Sequence, residues 1–252
     1  GMNLYNLPSS MMTALTISVI PTVSASLARN DRVHTARVIN SSLRVTGLMA
    51  FPMGLGLWAL AEPIMKLCYP RYDSELGGSL LAVLGIASIF VCLMLISNSI
   101  LQSYGRVHVP VFTMLLGGVV KIVLNYNLTA VPSINIHAAP FGTLTCFVIV
   151  AVLNLYFVYR TMEDKPHYLR VFAKPLIASL LMALCARLSY RFFAAHITLG
   201  GATVTQIVNV GLAVILAVIV YVALVLALRI VTRDDLALLP KGEKLARVLH
   251  VR

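Results

Sequence analysis

Seven apolar runs, each about as long as a membrane-crossing helix, partition this chain: Asn6–Ser26, Val45–Ala61, Leu80–Leu101, Val109–Leu128, Ala138–Tyr159, Val171–Phe193 and Gln206–Ile230. About 20 apolar residues in α-helix cross the ~30 Å hydrocarbon core of a bilayer. In that medium every backbone N–H and C=O must be paired internally, so only helices and closed barrels span it. The ten-residue alternation that a transmembrane barrel needs is missing. The expected fold is therefore all-α and integral to the membrane, a bundle of seven transmembrane helices. Composition points the same way: 59% of residues are hydrophobic and 12% charged, against roughly 45–50% and 25% in soluble domains.

The formal net charge of +11 would suggest nucleic acid in a soluble protein. Here its distribution gives a different reason. With the C-terminal tail placed in the cytoplasm, the loops on that side hold Arg29, Arg32, Arg37, Arg44, Arg106, Arg160, Lys165, Arg170 and Lys174, while the other side holds Lys66, Arg71, Arg187 and Arg191. That asymmetry is the positive-inside rule, so the chain is expected in the cytoplasmic membrane with its C-terminus inside and no nucleic-acid partner. The basic loop Arg29–Arg44 carries Val33, Ala36, Ile39 and Leu43 at a spacing that suits a short interfacial helix. The tail over 232–252 alternates basic and apolar residues and is expected to rest on anionic lipid. Seven spans with an inside C-terminus put the N-terminus outside, yet no signal peptide precedes it. The simplest resolution is a fragment preceded by an odd number of helices. Cys68, Cys92, Cys146 and Cys185 lack disulfide or metal spacing and read as packing residues, so no metal or other cofactor is expected.

Polar residues inside the apolar runs are the functional candidates. Lys121 is far from both ends of the fourth run, about 18 Å into its helix. A charge at that depth costs at least ~2.5–3.5 kcal/mol and marks a site by default. Thr113, Gly117, Lys121 and Asn125 recur every four residues, a small and polar face that points at protein or water rather than lipid. Two readings of Lys121 stand: it lines a cavity and attracts a diphosphate, or it snorkels or bonds to neighbouring carbonyls. Asn98 and Gln102 share a face near the end of the third run. Pro21 and Pro52 are expected to kink the first and second helices. The nine acids all lie in loops, at helix ends or in the tail. A cation antiporter would often keep a buried carboxylate, so an anionic substrate is favoured. A membrane enzyme would need paired acids or a His/Asp base, and Glu163-Asp164 and Asp234-Asp235 have no partner motif. The chain is not read as an enzyme.

Several short patterns occur together in a fixed order: Leu7-Pro8-Ser9; Pro21 with Ser24; Leu43-Arg44; Pro52 with Gly56; Leu101-Gln102 with Gly105-Arg106 and Pro110; Lys121-Ile122 with Leu124-Asn125; Ile134-Asn135-Ile136 with Gly142-Thr143; Leu153-Asn154; and Asp235-Leu236 with Leu239-Pro240-Lys241-Gly242. In these residues the chain resembles the C-terminal half of the stage V sporulation protein B / polysaccharide-biosynthesis group, within the multidrug/oligosaccharidyl-lipid/polysaccharide exporter superfamily. It departs from the group at Ala138, where glycine is usual before Ala-Pro, and at Ser103-Tyr104, where a smaller pair is usual.

The resemblance implies a fourteen-helix transporter of two six-helix lobes and two added C-terminal helices. This chain would supply five helices of the C-terminal lobe (1–160), the two additional spans (161–231) and a basic cytoplasmic tail (232–252). It further implies a flippase that moves a lipid-linked saccharide, a peptidoglycan or exopolysaccharide precursor, by alternating access, with a multidrug/cation antiporter of the same superfamily as the alternative. The expected partners are that substrate, membrane lipids and a missing N-terminal lobe. The last two helices would border a groove for the lipid tail.

Overall fold

The computed structural model describes residues 2–70, 73–130, 135–197, 201–228 and 230. The expected tail over 232–252 and residues 131–134 of the loop after the fourth run lie outside the described residues. Among the described residues the regular elements are all helical: α1 (Met2–Tyr5), α2 (Leu7–Ala28), α3 (Arg32–Ala59), α4 (Ala61–Cys68), α5 (Ser74–Ser103), α6 (His108–Thr129), α7 (Ala138–Thr161), α8 (Tyr168–His196) and α9 (Ala202–Ala227), with a 3₁₀ turn at Asn135–His137. Among the described residues six helices are each long and apolar enough to cross a membrane, and α3 with α4 meets the same measure only as a pair bent by 71°, the geometry of a broken span or a re-entrant loop. Large apolar side chains such as Phe112, Leu115 and Ile122 on α6 and Ile215 and Ile219 on α9 are exposed. Faces of that size and character require lipid, not water.

Two boundaries differ from the sequence expectation. The basic segment after α2 is no separate interfacial helix: α3 runs unbroken from Arg32 to Ala59, so this segment forms its first turns. Arginine is a good helix former, so charge ends the apolar run without ending the helix. The sharp bend lies at Leu60, between α3 and α4. Pro63 explains it, since it has no N–H for the carbonyl of Ala59 and its ring would clash there. Counted from the new start at Ala61, Pro63 falls in the first turn of α4, where a missing N–H costs nothing. Helices α2 and α3 run on through Pro21 and Pro52.

The turns at the basic end are built by two left-handed residues. Asn30 has φ +53° and Gly105 has φ +71°. In each case the two N–H groups that follow the helix turn back on it: Asn30 N to Leu27 O and Asp31 N to Ser26 O, Gly105 N to Gln102 O and Arg106 N to Leu101 O. Both are Schellman ends, which glycine and asparagine tolerate best. Asp31 then caps α3 by accepting from His34 N at 3.0 Å, and Asp73 caps α5 by accepting from Glu75 N and Leu76 N.

Helix α5 is the centre of the bundle and packs against α2, α3, α4 and α7. Beyond it, α6 packs on α7, α8 on α3, and α9 on α8 and α4. The order across the bundle is thus α6–α7–α5–α3–α8–α9, with α2 set against α5 and α3. At the α3–α5 crossing a Cβ on Gly54 would overlap Ile89 and lie 2.7 Å from the carbonyl oxygen of Gly85. A Cβ on Gly85 would lie 3.0 Å from the carbonyl oxygen of Gly54. Hydrogen at both positions lets the two backbones touch.

Candidate functional site

The polar face of α6 meets α7. The Thr113 hydroxyl donates to Asn154 Oδ1 at 2.7 Å, and Asn154 Nδ2 donates to Asn98 Oδ1 on α5 at 2.6 Å. Thr113 and Asn154 are fully buried, so this chain of hydrogen bonds joins three helices inside the bundle. A buried amide without partners costs about 1–3 kcal/mol, which makes each of the three residues depend on the next. One turn along, Gly117 lies against Val150 and Cys146, with room for no Cβ: one would stand 2.5 Å from Val150 Cγ2. Two turns further, the amide of Asn125 presses on the hydrogen face of Gly142, and its Oδ1 is buried without a hydrogen bond among the described residues. Lys121 sits between them, half-buried, and makes no hydrogen bond or ion pair among the described residues.

The predicted residues therefore fall into two sets. Thr113, Gly117 and Asn98 lie in helix–helix contacts, and in this structure α7 closes off the first two. Lys121 and Asn125 have unused polar capacity toward the other end of the seam. Gln102 is exposed and does not join Asn98 in the hydrogen-bond chain. Asn154, the hub, stands in the sequence only within the Leu153-Asn154 pattern, although a lone carboxamide deep in an apolar run is a usable signal.

A second feature is an apolar groove of about 500 Å³ on the opposite flank of α5, between α2, α3, α4, α8 and α9. Pro8, Met11, Pro52, Met182, Ala217 and Tyr221 are among the residues that line it. Tyr221 donates its hydroxyl to Leu48 O at 2.7 Å, so the one polar group at its edge is satisfied by the α3 backbone. Near the end of the groove Gln206 on α9 donates to Pro63 O at 3.2 Å, and the Arg187 guanidinium stands 5.8 Å over the Trp58 ring. Arg187 thus has a cation–π partner, which the sequence did not reveal. Among the described residues no group of His, Cys, Asp or Glu is placed to hold a metal ion, and the four cysteines are free thiols.

At the basic end, the α2–α3, α5–α6 and α7–α8 turns meet around a small polar cavity lined by Asp31, Arg32, Tyr104, Glu163 and Asp164 among others. Arg32 forms an ion pair with Glu163 across it. Burial pushes the Tyr104 phenol above its ordinary pKa, and the charge of Glu163 adds to the shift, so Tyr104 stays a neutral donor there.

Residues 1–208 match the family described as lipid II flippase MurJ. The whole chain is 27% identical over 256 aligned residues to an uncharacterized membrane protein, YabM, of Bacillus subtilis (strain 168), and spans 46% of that protein's length. Half of the chain, aligned over 127 residues, is 26% identical to the lipid II flippase MurJ of the same organism and covers 23% of it. A match over that much of the sequence, on an all-helical bundle of membrane-spanning length, shows the relationship: the chain belongs to the lipid II flippase MurJ family, within the exporter superfamily that its motifs resemble.

Proposed function

We propose that this chain is the C-terminal part of a flippase that moves a lipid-linked saccharide, a peptidoglycan or exopolysaccharide precursor, across the cytoplasmic membrane. The observation that carries this reading is the apolar groove bordered by α8 and α9, the two helices to which the resemblance assigns the lipid tail. Its lining of methionine, proline and small residues suits a flexible hydrocarbon chain. Lys121, with Asn125 one turn on, is the contact for the anionic diphosphate. Thr113, Gly117, Asn98 and Asn154 hold α6 in the register that presents it. In this reading residues 1–160 are lobe helices, 161–231 the added pair and 232–252 a cytoplasmic tail. A partner lobe supplied by the longer protein closes the cavity, as the greater length of the relatives suggests, and the two lobes alternate access. The basic end faces the cytoplasm. The motif order supports placement in the stage V sporulation protein B group.

The test is reconstitution of the whole protein in liposomes carrying a fluorescent lipid-diphosphate saccharide. Movement between leaflets is expected. Lys121→Met is expected to slow it roughly tenfold or more, the loss of one charge-assisted hydrogen bond, and Lys121→Arg to retain most of the rate. Export of cationic dyes without lipid movement would replace the flippase by an antiporter. Parental rates for both Lys121 variants would remove Lys121 from the path.

A further inference from the structure

The basic end of the bundle holds a second cavity, of about 640 Å³, and its charge differs from that of the first. It lies between α3, the start of α8 and the residues after α9, and is lined by Arg44, Arg170, Lys174, Leu169, Val171, Ala173 and Ile230. Three cations converge on it, and among the described residues no acid lines it. Among the described residues the acids of this end, Asp31, Glu163 and Asp164, line the other cavity, where Arg32 is paired with Glu163. Arg170 and Lys174 are four residues apart on α8 and share a face. Lys174 donates to Leu228 O, just past the end of α9, at 3.3 Å, which ties the cavity wall to that helix.

Its depth is informative. Arg44 immediately precedes the long apolar part of α3, and Lys174 immediately precedes that of α8. The cations therefore lie at the boundary between polar and hydrocarbon regions. The rest of the lining is apolar, and Leu169, beside Arg170, is 85% exposed, an orientation that lipid rewards and water does not. A free anion would use the cations and leave the apolar lining wet. A lipid whose head group carries a net negative phosphate uses both, with phosphate against Arg44, Arg170 and Lys174 and glycerol and acyl carbons against Leu169, Val171 and Ile230. Basic pockets between helices at a membrane boundary bind such head groups.

We propose that this cavity binds the head group of an anionic phospholipid from the leaflet at this end of the bundle. The site is separate from the apolar groove, since the hydrogen bond from Tyr221 to Leu48 O crosses the α3–α9 seam between them. It does not depend on which substrate the protein moves.

The experiment measures lipid binding to the purified whole protein in neutral detergent by native mass spectrometry, with phosphatidylglycerol, phosphatidylcholine and inorganic phosphate as probes. Phosphatidylglycerol is expected to bind and the other two are not. Arg170→Gln is expected to weaken binding roughly fivefold, and Arg170→Gln with Lys174→Gln roughly 25-fold, from about 1 kcal/mol per surface cation. Both side chains are exposed, so neither change opens the core. Lys66→Gln, on the opposite end, is expected to leave binding unchanged. Equal binding of phosphatidylcholine, or unaltered phosphatidylglycerol affinity in the double variant, would overturn the proposal. Equal binding of inorganic phosphate would make the cavity a free-anion site. Displacement of phosphatidylglycerol by a lipid-linked diphosphate with loss of both in the double variant would assign the cavity to the transported substrate.

Discussion

Asn154 makes two of the hydrogen bonds that cross between helices, one to Thr113 and one to Asn98. Interhelical bonds in membranes average only ~0.6 kcal/mol each, but a buried group left without a partner costs more than the bond was worth. Asn154→Leu is therefore expected to lower stability by about 1–2 kcal/mol, and Thr113→Val, which leaves the buried Asn154 Oδ1 without a partner while its Nδ2 stays paired with Asn98, by a similar amount. The combination is expected to cost less than the sum of the two, because the same bond is removed twice. Reversible unfolding in mixed detergent micelles measures all three. At this scale the sequence exposes one half of each contact. The four-residue spacing of Thr113, Gly117, Lys121 and Asn125 shows which face of α6 avoids lipid. It does not show that α7 is what meets it, because periodicity describes a helix and not its neighbour. The same reason hides the Arg187–Trp58 contact, whose partners are 129 positions apart.

Among the elements, the α3–α5 crossing is the closest approach of one backbone to another that a described glycine permits. Gly54→Ala would place a methyl group into Ile89 and within 2.7 Å of the Gly85 carbonyl oxygen. Because one of those neighbours is backbone, the helices must separate, and overpacking of this kind costs about 1–3 kcal/mol. Gly118→Ala on α6 meets nothing within 4 Å and is expected to be neutral or stabilising by up to about 1 kcal/mol through helix propensity. Thermal unfolding of the two variants side by side separates a close approach from a glycine that is merely present. The span positions were legible because a bilayer sets a minimum apolar length, and each of the seven runs lies for most of its length on a described helix. What was not legible is where helices extend beyond the hydrocarbon. Charged residues stop the apolar pattern at Arg44 but leave helix propensity intact, so α3 continues twelve residues toward Arg32. The break at Leu60 comes from the backbone chemistry of Pro63, which an apolar count does not register.

For the whole molecule, the order α6–α7–α5–α3–α8–α9 puts the polar seam and the apolar groove on opposite sides of α5. A lipid-linked saccharide carries its charge at one end of the lipid and its hydrocarbon at the other, so a protein that moves it needs two unlike surfaces held at a fixed separation by a stiff core. Under the proposed function helix α5, with half of its residues buried and four helices packed on it, would be that core. The resemblance implies a lipid-tail groove beside the last two helices, and the residues themselves do not: α9 is mostly apolar and lacks a polar stripe, so its sequence does not distinguish a side that borders a groove from a side that meets bulk lipid. The structure makes that distinction testable. Val218 lines the groove from an exposed position, while Ile219, one residue on, is equally exposed and turned away from it. Val218→Trp is expected to fill part of the groove and lower lipid translocation at least tenfold. Ile219→Trp adds the same indole to the lipid-facing side and is expected to leave the rate unchanged. Both are surface changes, so unfolding stability is expected to stay within about 0.5 kcal/mol of the parent, which separates a blocked path from a damaged fold. If Val218→Trp translocates at the parent rate, the lipid chain does not run between α3 and α9, and the groove is a packing defect filled by bulk lipid.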